Sequence, residues 1–199
     1  MSNPNAYAAL RQPDYRFFLA MRMSTTLAIQ IMSVSVGYFM YDLTGDPLML
    51  GLIGLAEAVP AISISLWAGH IADKYNRRSL IVGCISLLLV CAIALLTLVW
   101  NRESLPQATL IAGIYTVIFF TGVARGMFSP ANFALLPQLV DRQELPNAIA
   151  WNSSVWEVAS ITGLGVGGLL YGFAGVDAAF GTMSILLVLA LLFVVQITP

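Results

Sequence analysis

Gly69-His70-Ile71-Ala72-Asp73-Lys74-Tyr75-Asn76-Arg77-Arg78 packs one acid, three arginine or lysine side chains beyond it in Lys74, Arg77 and Arg78, and a histidine into a chain that is otherwise mostly apolar. A long hydrophobic run precedes this stretch and another follows it. The stretch therefore reads as a short polar hinge between two membrane helices. Asn76 stands where the chain must turn, and asparagine tolerates left-handed backbone better than most residues other than glycine.

The composition around the hinge fits lipid and not water. Of the 199 residues, 59% are hydrophobic and only 10% are charged; mean hydropathy is +0.85. Soluble domains carry about 25% charged residues. A water-soluble core of this length could not hide so much apolar surface, so the chain is expected in a bilayer. The net charge of -1 gives no electrostatic case for nucleic acid. Cys84 and Cys91 lie two helical turns apart in one apolar segment, too far for a disulfide and without metal-ligating neighbours, so both read as packing residues. The first apolar run exceeds a secretory h-region and no small-residue cleavage site follows it, which predicts a permanent first helix.

Outward from the hinge, six spans are expected. Residues 1–15 form a polar lead and residues 16–199 the bundle. The helices run from about Phe17 to Tyr41, Leu48 to Ala72, Leu80 to Trp100, Gln107 to Ser129, Asn147 to Phe173, and Ala178 to Ile197. Each reaches the ~20 residues that cross a bilayer, and an open sheet is excluded because its edges could not be satisfied in lipid. Pro130, Pro137 and Pro146 bracket an irregular link, and Gly175-Val176-Asp177 reads as a turn. Arg11, Arg16, Lys74, Arg77, Arg78 and Arg142 fall on one side, with Arg102 opposite. The positive-inside rule then sets both termini and the hinge in the cytoplasm.

The spans differ in character. Helices 3 and 6 are nearly featureless apolar cylinders suited to lipid. On helix 1, Arg22, Thr26, Gln30, Ser33 and Gly37 recur at helical spacing and share a face. Helix 2 carries a small-residue stripe that includes Gly51 and Gly54, and helix 5 carries Gly163, Gly167 and Gly168. Small residues let membrane helices approach closely. Helices 2 and 5 are each second in a set of three, and helices 3 and 6 each third, the pattern of two inverted three-helix repeats.

Ionisable groups within a span cost about 2.5–3.5 kcal/mol at a helix centre and point to function. Arg22, Glu57, Arg125 and Glu157 qualify. Glu57 and Glu157 come out near the midplane. Each reads either as a proton-titrating carboxylate beside a substrate path or as a partner of a neighbouring helix. Glu157 shares a face with Ser153 and Ser160 and follows Trp156. Arg125 could hold an anionic substrate or pair with a carboxylate. Arg22 reads as a snorkelling anchor or a substrate contact, and Gln30 as a cavity-lining or interhelical group. His70 reads as a capping or interfacial residue. The sequence holds no Cys/His cluster, phosphate-cradling loop or nucleophile elbow, so neither an enzyme nor a cofactor is expected.

The pattern G-x-x-x-D-K-x-x-R-R from Gly69 to Arg78 resembles the loop between helices 2 and 3 of the major facilitator superfamily. So do Leu43-Thr44-Gly45, Pro60, Ser129-Pro130-Ala131, Leu136-Pro137-Gln138-Leu139-Val140 and Leu145-Pro146-Asn147-Ala148. Together these resemble its bacterial branch of enterobactin exporters and drug-efflux carriers. Gly163-Leu164-Gly165-Val166-Gly167-Gly168 is similar to the helix 5 antiporter motif G-P-x-x-G-G, with Leu164 in the proline position. The resemblance implies an all-α membrane protein of the bacterial inner membrane, with helices 1, 2, 4 and 5 facing a cavity. It also implies that Gly69, Asp73, Lys74, Arg77 and Arg78 form a gating loop.

Superfamily members usually have two six-helix halves, and this chain resembles the amino-terminal one. The expected partners are the lipid bilayer, a small-molecule substrate, and a second six-helix half, either a carboxy-terminal half or a second copy in a homodimer. The implied function is proton-coupled export of a small organic molecule such as a drug or siderophore. The alternatives are a non-transporting membrane scaffold or assembly partner, or a lipid flippase on the same fold.

Overall fold

Helix boundaries in this chain are set by a few residues with special backbone chemistry. The computed structural model describes residues 7–198 except Tyr75; of 68–74 it describes the backbone alone. A short 3-10 turn, Ala9–Arg11, leads into α1 (Pro13–Thr44). Proline suits that first position because its missing N–H would have had no partner there. The helix stops where Gly45 turns left-handed at φ 66°, its N–H donating 2.8 Å to the Tyr41 carbonyl. Helix α2 (Pro47–Lys74) follows at once, and α3 spans Arg77–Trp100. After Pro106 comes α4 (Gln107–Leu135), then a 3-10 turn at Leu136–Gln138, then α5 (Leu145–Gln196). Among the described residues there is no strand, and five helices are long and apolar enough to cross a membrane.

Three local expectations are corrected. Six separate helices were expected; five helices are long and apolar enough to cross a membrane, and the last of them, α5, joins two helical arms across a kink. The anticipated turn at Gly175-Val176-Asp177 shrinks to one residue: Gly175 alone leaves helical geometry, at φ 83° and ψ 171°. That region of backbone is open essentially only to glycine, so a single residue redirects the chain and divides α5 into two arms, 145–174 and 176–196. Second, α4 does not end at Ser129 but continues through Pro130 to Leu135. Proline within a membrane helix is tolerated where neighbouring helices satisfy the freed backbone groups. Third, Asn76 is not left-handed. It is extended (φ -61°, ψ 119°) and caps α3, its side chain accepting from the N–H groups of Arg78 at 3.0 Å and Ser79 at 3.3 Å.

The contacts fix the directions of the helices. Tyr15 on α1 donates its hydroxyl to the Ala148 carbonyl at 2.6 Å, and Tyr38 further along stacks on Tyr171, so α1 and the first arm of α5 run parallel. Likewise α2 and α4 run parallel: the Tyr115 hydroxyl donates to the Met49 carbonyl at 3.0 Å, and Gly126 lies against Ala61. The second arm of α5 runs antiparallel to α3, with Asp177 near Arg102 at one end and Val194 held by Arg78 at the other.

Helix α3 is apolar all round, yet its burial is one-sided. Ile81, Ile85, Leu88, Ala92, Leu95 and Val99 are buried, while Val90 and Ile93 are exposed. Spacings of three and four place the first set on one stripe. The stripe joins a continuous core with Leu110, Ile114 and Ile118 of α4 and Phe180, Met183 and Leu187 of the second arm. Helix 3 is thus more than a lipid-facing cylinder. Cys84 and Cys91 lie buried and free within it.

Candidate functional site

Away from that dry core, α1, α2, α4 and the first arm of α5 surround a cavity of about 720 Å³. Helical spacing explains the convergence. Arg22, Thr26, Ile29 and Gln30 present one face of α1, and Gly54, Glu57, Ala58, Ala61 and Ser65 one face of α2. Helix α4 contributes Arg125, Phe128 and Ser129, and α5 contributes Trp156 and Ser160.

Close backbone approach sets the register of α2 against α4. A Cβ on Gly122 would run into the Glu57 carbonyl and come within 2.7 Å of Pro60 Cγ. One on Gly126 would lie 2.5 Å from the Ala61 carbonyl oxygen. With the two backbones in contact, Glu57 and Arg125 meet across the gap. Arg125 Nη1 donates to Glu57 Oε1, forming an ion pair whose side chains are 36% and 18% exposed respectively. The two residues, weighed singly in the sequence, are partners in the structure.

Arg22 lies at the same cavity with 7% exposure. Its guanidinium sits 5.8 Å from the centre of the Phe128 ring, and its Nε has no hydrogen-bond partner. Gln30 is half-buried and its Nε2 makes a long 3.5 Å bond to the Ser160 carbonyl. That contact sits where Gly163 lets α1 approach, since a Cβ there would fall 2.7 Å from Gln30 Cβ.

The cavity gathers Arg22, Gln30, Glu57 and Arg125. It does not include Glu157, which is exposed on α5 outside the lining. Trp156 and Ser160, four apart, face the cavity, and Glu157 sits about 100° further round the helix. Of the packing glycines named from sequence, Gly163 and Gly167 do approach α1, whereas Gly51, Gly54 and Gly168 have no neighbour at their Cβ positions within 4 Å. Sequence reasoning missed Gly122 and Gly126, although their four-residue spacing is the small-x-x-x-small signal of close helix contact. It also missed Phe128 and Trp156, which carry no polar signal.

The hinge is partly visible. The side chains of Gly69, His70, Asp73 and Lys74 lie outside the described residues, as does the first part of the polar lead. Arg77 is half-buried. Arg78 reaches the end of α5, donating from Nε to the Val194 carbonyl at 3.1 Å and from Nη2 to the Val195 carbonyl at 2.6 Å. It thereby satisfies carbonyls that a helix terminus leaves orphaned.

Among the described residues no group of side chains could hold a metal ion. The site offers an ion pair, a buried cation and polar side chains in an open cavity.

Known proteins of the same kind carry transport names. The chain is 23% identical to the staphyloferrin A transporter of Staphylococcus aureus over 177 residues, 89% of this chain and 44% of the relative. It is 23% identical to macrolide efflux protein A of Streptococcus pyogenes over 141 residues, 71% of this chain and 34% of the relative. It is also 22% identical to the transporter YkuC of Bacillus subtilis over 169 residues, covering 81% and 35%. The chain spans less than half the length of these relatives. No solved structure matches it. The transmembrane secretion effector family model matches residues 4–199, so the chain belongs to that family of the major facilitator superfamily of membrane transporters.

Proposed function

We propose that this chain forms one half of a secondary active transporter that exports a small organic molecule by alternating access, in exchange for protons. The observation that carries the reading is the cavity where α1, α2, α4 and the first arm of α5 converge on the Glu57–Arg125 pair. A charged Glu57 holds Arg125, and a protonated one loses most of that attraction. Protonation and opening of the pair are therefore linked, each favouring the other. Such linkage lets a proton gradient bias the positions of two packed helices.

Counting the two arms of α5 as separate spans gives six alternating helices. The two parallel contacts then support inverted repeats. An operation exchanging helices 1 and 4, and helices 2 and 5, turns the α1/α5 contact into the α4/α2 contact. The substrate classes suggested by the relatives' names are a staphyloferrin-like siderophore or a macrolide. The second partner is another six-helix bundle. It is supported by the length of the relatives and by the open face of α2, where Leu55, Ile62 and Leu66 are exposed. The arginine and lysine placement supports both termini and the hinge on the cytoplasmic side of the bacterial plasma membrane. At that end Arg77 and Arg78, with Asp73 and Lys74, form the gating loop.

The test is uptake of a labelled siderophore and, beside it, a labelled macrolide into everted membrane vesicles from cells producing the protein. Uptake that a protonophore abolishes, and that Glu57→Gln lowers at least tenfold, is expected. Normal membrane insertion with no uptake of any tested drug or siderophore would sink the transport reading and favour a scaffold.

A further inference from the structure

Three charged side chains line the cavity, and two of them neutralise each other. Glu57 and Arg125 form an ion pair, so together they add no net charge. Arg22 is left over. No acid among the described residues pairs with it, its Nε lacks a hydrogen-bond partner, and its side chain is more than nine-tenths buried. Such a position is costly for a guanidinium. Its guanidinium lies 5.8 Å from the centre of the Phe128 ring, and both side chains line the cavity. The aromatic face eases the charge but accepts no hydrogen bond in the plane of the guanidinium.

We infer that Arg22 is the anion-receiving group of the cavity, and that the site selects amphiphilic organic anions carrying a carboxylate. Arg22 would take the carboxylate through parallel N–H bonds, the geometry in which arginine binds that group best. Phe128 and Trp156 offer aromatic surface to the body of the ligand, and Thr26, Gln30 and Ser160 offer polar contacts beside it. The volume of about 720 Å³ suits a ligand of drug size. The inference rests on the reading of this cavity as the substrate path.

The test needs three probes of nearly equal size and different charge: 2-naphthoate, 2-naphthylmethanol and 2-naphthylmethylammonium. Binding to the protein in lipid nanodiscs is measured by calorimetry. The naphthoate is expected to bind at least tenfold more tightly than the ammonium compound. Arg22→Gln should remove the preference, and Arg22→Lys should keep part of it because the charge remains.

Equal binding of the three probes, a preference for the cation, or no binding of any probe overturns the inference. A preference that survives in Arg22→Gln overturns it as well, by moving the anion to Arg125. The charge series on the unmodified protein requires no variant, so misfolding of Arg22→Gln leaves the test intact. Uptake of labelled 2-naphthoate into everted membrane vesicles, measured in parallel, keeps the two readings apart. Transport without charge selectivity removes the Arg22 assignment alone. Charge-selective binding without transport leaves that assignment standing and removes the transport reading.

Discussion

Among the described residues, two ion pairs tie together distant parts of this chain, and their surroundings differ sharply. Arg125 and Glu57 meet beside the cavity between two helices in backbone contact. Arg102 and Asp177 meet at 3.4 Å at the far end of the bundle, with side chains 42% and 45% exposed. The residue types are nearly the same, and the energetic consequences are not. An exposed pair is screened by water and salt and contributes roughly 0–1 kcal/mol. A pair with low-dielectric walls around it depends much more on both charges being present. Only the inner pair lies at an interface where two helix backbones touch.

The sharpest break of this comparison is Arg125→Met, which strands the Glu57 carboxylate. We expect a loss of about 3 kcal/mol in stability, the lower end for breaking a buried pair because this one is partly open. Removing both charges with Glu57→Gln should recover part of that loss. Thermal unfolding in detergent checks both statements, and the double-mutant cycle isolates the coupling. A coupling no larger than that of Arg102 with Asp177 would erase the distinction between the two pairs.

The inner pair exists because α2 and α4 touch, so the next way to disturb it is through their glycines. Gly126→Val places methyl groups against the Ala61 backbone, which has no flexible end to yield. A cost of about 2 kcal/mol is expected, in the range for overpacking. Gly51→Ala, with no neighbour within 4 Å, should change stability by no more than about 0.5 kcal/mol. Equal losses in the two variants would contradict the assignment of contact to Gly126.

These glycines also show what a sequence can and cannot disclose. Helices were legible because unbroken apolar runs admit little else in lipid, and Pro47, Pro106 and Gly45 marked true boundaries. Pro130 misled because a packed neighbour overrides a rule derived for isolated helices. Gly175 was found as a turn, but nothing local tells that one residue suffices. Within the site, the rare charges Arg22, Glu57 and Arg125 stood out, since lipid makes such residues conspicuous. Their pairing did not, because it depends on the stagger of α2 against α4, with Gly122 at the level of Glu57. Glu157 has the same composition-level signal as Glu57 and lacks the position. One step along a helix turned it away from the cavity that Trp156 faces.

A smaller effect is expected at the junction of α1 with α5, where Tyr171 stacks on Tyr38 with ring centres 5.4 Å apart and donates its hydroxyl to Asp42. Tyr171→Phe keeps the stacked ring and removes only the hydrogen bond. Polar contacts between membrane helices average about 0.6 kcal/mol, so a loss of that order is expected in the unfolding midpoint. A loss several times larger would mean that this outer junction resembles the cavity more than it resembles the exposed pair.

The exposed pair itself provides the smallest effect and the closing control. Arg102 lies in the loop after α3, and Asp177 lies two residues beyond the Gly175 break. The pair thus ties the loop after α3 to α5 just beyond the point where it changes direction, and geometry alone would nominate it as a clamp on that bend. The physics argues otherwise. Both side chains are well exposed, both are free to find water instead, and the bend is already specified by a backbone region that glycine alone adopts readily. Arg102→Gln should therefore lower stability by about 0.5 kcal/mol or less. Raising the salt concentration should remove even that difference, whereas the deficit of Arg125→Met should persist. A large and salt-insensitive loss for Arg102→Gln would show that the bend at Gly175 leans on charge, and that exposure misjudges how the outer pair works.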